Sequence, residues 1–144
     1  MNEPTATAEN ASTPSGASVA ARTAAAIQVL IGLGFGAGAA WTIVHLLQNG
    51  ELPMTPWGFR SMAGPFEELG QQTFSVLGWA LVATCALDAL AGIWLMQRRR
   101  SGFGLGLVTA VPQIALGLGF ALPFLLVGVP IRVVLSIAGR RSLR

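Results

Sequence analysis

The sequence predicts an all-α protein, a four-helix transmembrane bundle with a structured outer loop carrying short interfacial helices. Three observations carry that reading. Charged residues make up only 10% of the 144 residues, and apolar ones 53%, whereas a water-facing surface usually requires about 25% charged residues. The apolar residues gather in runs as long as a bilayer is thick. The basic residues are all arginine, and most of them stand at the ends of those runs: Arg98, Arg99 and Arg100 after one, Arg140, Arg141 and Arg144 after another.

This placement also decides how the net charge of +3 is read. Arginine clusters flanking apolar runs mark the cytoplasmic side of a membrane. They lack the base-contacting pattern of a nucleic-acid binder, so the lipid bilayer, not nucleic acid, is the expected partner. Cys85 is the only cysteine, which excludes an intrachain disulfide and any dithiol relay. Arginine without lysine, among abundant alanine and glycine, fits a GC-rich bacterial source.

Residues 1–20 are rich in Ala, Thr, Ser, Asn and Pro, with two acids, a composition expected to form a disordered cytoplasmic tail. Its Asn10-Ala11-Ser12 sequon is read as a chance match. The first span is placed at 24–47, long enough to cross with tilt, with Trp41 and His45 at its outer boundary. His45 has no second histidine to share a metal with and is read as an interfacial anchor. The second span is placed at 73–96, with Trp94 at its inner end.

The next apolar stretch, 103–138, is too long for one span. Pro123 divides it: a proline lacks an N–H, restricts the residue before it and suits the first turn of a helix. Spans at 103–120 and 123–138 follow, then a basic cytoplasmic tail at 140–144. The competing division, one long span and an interfacial helix from Pro130, would put the last three arginines outside, against the positive-inside bias. That same bias places both termini in the cytoplasm and the chain in the inner membrane.

The 25-residue outer loop, 48–72, is rich in Met, Trp and Phe. Thr55-Pro56 reads as an N-cap and first helical residue, and Gly64 as a stop. Gly64-Pro65 restarts a helix with Glu67 and Glu68 in its first turn. Two surface helices, about 56–63 and 65–71, are therefore expected. They form an interfacial cap, or a lid with Trp57, Arg60 and Glu67, in which Arg60 meets Glu67 or an anionic head group.

Charges at membrane depth are costly and informative. Asp88 lies ten residues before Arg98 and Arg132 eight before Arg140, so about 15 Å and 12 Å from the inner surface. Matching depths pair them inside the bundle. A register-fixing ion pair or a substrate or proton site would follow; the remaining alternative is Arg132 snorkelling inward, unpaired. Gln113, beside Pro112, is the third deep polar group. Its amide is expected to bond another helix, as are Gln28, Thr84 and Thr109. Gly32, Gly34, Gly36 and Gly38 lie four apart in pairs, which lets helices approach closely. Gly102, Gly104, Gly106, Gly117 and Gly119 are read the same way. The partner of such a surface could lie within the chain, in a second copy or in another membrane protein. The glycine run is no nucleotide loop, since it follows no strand.

Leu87-Asp88-Ala89-Leu90-Ala91-Gly92-Ile93-Trp94-Leu95, followed by Arg98–Arg100, resembles the second helix of DoxX-like proteins. That helix is apolar with one acid and a glycine, and leads to a short basic turn. In this chain an aspartate stands where a glutamate is more usual, and residues 51–60 have no counterpart. The resemblance implies four helices and a bacterial membrane family with some members linked to redox or stress functions. It implies no catalytic residue.

Function is expected to be that of a non-enzymatic scaffold or accessory subunit. The alternative is binding or transport of a small lipophilic molecule or ion around Asp88, Arg132 and Gln113. Neither a nucleophile–base pair nor a metal-ligand set is visible, and no cofactor is implied.

Overall fold

The computed structural model describes residues 16–56 and 58–139. Most of the tail, Trp57 and the basic segment 140–144 lie outside the described residues. Four α-helices follow one another: α1 (Gly16–Asn49), α2 (Gln71–Met96), α3 (Arg100–Gly119) and α4 (Pro123–Gly139). A five-residue 3-10 helix, Pro65–Leu69, precedes α2. The helices pack in a closed ring, α1 on α2, α2 on α3, α3 on α4 and α4 on α1. Short turns make α2, α3 and α4 run up and down in succession.

Three of these helices, α1, α2 and α3, are long and apolar enough to cross a membrane. Helix α4 is a shorter apolar helix of 17 residues, about 26 Å long. Large apolar side chains point outward around the bundle: Leu30 on α1, Val76 on α2, Val111 on α3 and Phe124 on α4 are all more than 60% exposed. Helices that are apolar on every side belong in lipid.

The inward faces build one main core. Ile43 and Ile31 of α1, Leu81 and Cys85 of α2, Leu116 of α3, and Leu125 and Val129 of α4 meet there, closed by Phe74 and Phe120 at the end that carries the 50–70 loop. The rings of Phe66 and Phe74 both stand edge-on to Phe120, with centroids 5.1 Å away in each case.

The connections use the same device twice. After α2, the N–H of Arg98 bonds the carbonyl of Leu95 (3.0 Å) and that of Arg99 bonds Trp94 (3.0 Å). After α3, Ala121 bonds Leu118 (3.2 Å) and Leu122 bonds Gly117 (2.8 Å). These are Schellman closures, which place one residue in the left-handed region, usually glycine. Here the residues are Arg98 (φ 59) and Ala121 (φ 48). Pro123 then opens α4, because its missing N–H is one the first turn leaves unpaired anyway. Pro130 lies inside α4, so the long-span alternative does not occur.

Three sequence expectations are corrected here. Helix α1 begins at Gly16, so residues 16–20 are helical. Their Ala-rich composition favours helix once a long apolar segment follows to propagate it. Among the described residues of 56–63, none is helical. A tight turn replaces the expected helix, with Met54 bridged antiparallel to Arg60 and the Thr55 N–H bonded to the Phe59 carbonyl at 2.8 Å. Gly58, at φ 83, bends the chain back before a helix can start, and Thr55 Oγ1 donates to the Phe59 carbonyl at 2.8 Å. The second surface helix is the 3-10 turn Pro65–Leu69; Gly70 (φ 87) ends it, and α2 already starts at Gln71.

Candidate functional site: a buried polar cluster

Asp88 lies on the inward stripe of α2, one turn after Cys85, and is completely buried. Arg132 of α4 reaches across to it. The guanidinium nitrogen NH1 contacts Asp88 Oδ1, with the arginine 1% and the aspartate 0% exposed. The other terminal nitrogen, NH2, donates to Gln113 Oε1 of α3 at 2.7 Å. Two more groups converge on the same carboxylate oxygen. Gln28 Nε2 of α1 donates to Asp88 Oδ1 at 3.1 Å, and Thr109 Oγ1 of α3 donates to it at 3.0 Å. All four helices thus meet at one carboxylate. A charge at this depth would otherwise cost several kcal/mol; two neutral donors and a cation offset that cost.

Glycine makes the room. A Cβ on Gly106 of α3 would collide with the Gln28 amide, and one on Gly92 of α2 would press on Val29 and the Gln28 Cβ. Gly32 of α1 lies against α2 backbone: its Cβ would fall 2.6 Å from the Cys85 carbonyl oxygen and 2.7 Å from the Ala89 nitrogen. Gly36 faces the Cys85 Cβ at 3.2 Å.

The structure divides the other glycines. Gly102, Gly117 and Gly119 pack against neighbours, but Gly34, Gly38 and Gly104 have nothing within 4 Å of a would-be Cβ. The helical period explains this, because residues two apart fall on opposite sides of α1. Thr84 is corrected as well. It is half-buried and bonds the Ala80 carbonyl of its own helix at 2.7 Å.

The cluster is larger than sequence reasoning assembled. Thr109 lies nine residues past Arg100, about 14 Å deep, and the depth-matching that joins Asp88 to Arg132 would also have found it. Gln28 lies on a helix whose start was placed too late for such a count.

Four buried polar atoms in the cluster have no partner: Gln28 Oε1, Asp88 Oδ2, Gln113 Nε2 and Arg132 Nε. Three clefts of the bundle are lined by other residues: one at the 50–70 loop, one beside the start of α2 and one on the face of α1.

In the 50–70 loop, Arg60 NH1 bonds Glu67 Oε1 at 2.7 Å, with the side chains 61% and 38% exposed. Trp57, the third lid candidate, lies outside the described residues. The loop is fastened to the bundle by Thr42 and Ser61, whose hydroxyls lie 3.0 Å apart, and by buried Met62. His45 stacks obliquely on Trp41, centroids 5.7 Å apart. Among the described residues, no group of three His, Cys, Asp or Glu could hold a metal ion.

No family model, curated protein or solved structure matches this chain.

Proposed function

We propose that the chain is a non-enzymatic component of the bacterial inner membrane, a scaffold or accessory subunit that acts through its contacts. In this reading α4 spans the bilayer with the other three helices. Both termini lie in the cytoplasm and the 50–70 loop lies outside. The observation that carries the reading is the mutual engagement of Asp88, Arg132, Gln113, Gln28 and Thr109, all at most 3% exposed. Their hydrogen bonds join four helices, and the outward faces offer lipid or a partner a largely apolar surface. The DoxX-like resemblance of α2 belongs to the same proposal. Two measurements test it. An alkaline-phosphatase reporter should be active when fused in the outer loop and inactive after Arg144; the reverse pattern refutes the orientation. Native mass spectrometry of the chain extracted in mild detergent should find a second copy or a second polypeptide; a bare monomer refutes the scaffold.

A second reading is favoured by the four unpartnered atoms, two acceptors and two donors of one cluster. A small polar molecule or ion held there would satisfy them. Its mark is a retained small mass that Gln113→Leu removes while the chain stays folded.

A further inference from the structure

Two clefts share Gln71 where α1 ends and α2 begins. The first is a chamber of about 440 Å³ under the outer loop. Its apolar walls come from Leu46, Leu52 and Phe74, and its polar ones from Glu51, Arg60, Glu67 and Gln71. The second is an open groove of about 430 Å³ on the outside of the bundle, where Leu47, Val76 and Trp79 are its apolar lining. Gln71 lines both, and Leu46 of the chamber is followed directly by Leu47 of the groove. A polar chamber at the loop level therefore continues into an apolar groove one to two turns further into the membrane.

That sequence of environments matches an amphiphile lying along the bundle. We propose that the two clefts together hold one phospholipid with a zwitterionic, amine-bearing head group. Its head occupies the chamber and one acyl chain lies in the groove. The charges select the head. Arg60 supplies a forked donor suited to a phosphate, while Glu51 and Glu67 supply acceptors for an ammonium. Two acids against one arginine disfavour a head group with a net negative charge. The existing Arg60–Glu67 bond is no obstacle, since an exposed pair contributes little and its two members can turn to the phosphate and the ammonium. On the groove side, Leu47, Val76 and Trp79 are 56%, 64% and 45% exposed, so the chain displaces no packed core. The site rests on the bilayer placement proposed above.

The test titrates the detergent-purified chain with phosphatidylethanolamine or phosphatidylglycerol of identical acyl chains and counts retained lipids by native mass spectrometry. One phosphatidylethanolamine per chain is expected, at concentrations about tenfold lower than phosphatidylglycerol requires. Arg60→Gln and Trp79→Ala should each weaken its retention by about tenfold, whereas Val108→Ala, on the exposed side of α3, should not. Melting curves in detergent establish that each variant is folded. Soluble phosphoethanolamine, which lacks chains, should not compete at lipid concentrations. Equal retention of the two lipids, indifference to Arg60→Gln in a folded variant, or full competition by phosphoethanolamine each overturns the proposal. A chain that stays monodisperse without detergent would instead overturn the bilayer placement, and this site with it.

Discussion

Two arginine–carboxylate pairs among the described residues sit in opposite surroundings. Asp88 and Arg132 are sealed at the centre of the bundle, whereas Arg60 and Glu67 bond at the rim, largely open to solvent. The chemistry is the same, but the consequences differ. In water each rim group keeps most of its hydration when parted from the other. In the bundle a carboxylate left without its cation has no solvent to turn to, and the arginine fares no better. The central pair is therefore hard to break without being a large net gain, and the rim pair is easy to break.

The largest expected effect tests this contrast directly. Asp88→Ala or Arg132→Ala should each destabilise the chain by about 3–5 kcal/mol in reversible unfolding from detergent or bicelles. The double variant should lose clearly less than the sum of the two, because it leaves no orphaned charge. Additive losses would mean that the two residues are not coupled.

The next effect extends the contrast from charge to packing. Gly32→Ala forces a Cβ against α2 backbone and should cost about 1–3 kcal/mol. Gly34→Ala, on the open side of the same helix, should leave stability unchanged or raise it slightly. Equal effects at the two positions would show that α1 is rotated from the orientation described.

Smaller still is the backbone strain at the α3–α4 turn. Ala121→Gly should stabilise the chain by about 0.5–1 kcal/mol, since relief of the left-handed conformation outweighs the extra chain entropy of glycine. A loss of stability would mean that Ala121 contributes packing. Last comes the rim: Glu67→Gln should shift stability by no more than about 0.5 kcal/mol, with any shift fading as salt is added. A loss comparable to that of Asp88→Ala would erase the distinction between the two pairs.

The same contrast explains what the sequence could and could not disclose. Inside the bundle, physics leaves few options. Apolar runs of fixed length, a proline at 123 and arginines at the ends are enough to place four helices. Counting residues from those arginines brings Asp88 and Arg132 to one level. At the rim, competing local signals are nearly balanced. Thr55-Pro56 can cap a helix, but Gly58 three residues after Thr55 favours a tight turn, and in the structure the turn prevails. The start of α1 was obscured in the same way: residues 16–20 look like tail by composition, yet they propagate a helix that is already long. Which face of α1 its glycines occupy depends on rotation about the helix axis. A run with glycine at every second position cannot fix that rotation.

The ring of Phe66 lies in the space that a Cβ on Gly119 would need, and Gly64 is seated just as tightly on the backbone of Gly119, Phe120 and Ala121. The outer segment is thereby keyed into the corner where α3 hands over to α4. A shift of that corner must drag the segment along, and a pull on the segment must bend the corner. Whatever docks under the rim thus has a mechanical lever on α4, and through Arg132 on the polar cluster at the centre of the bundle.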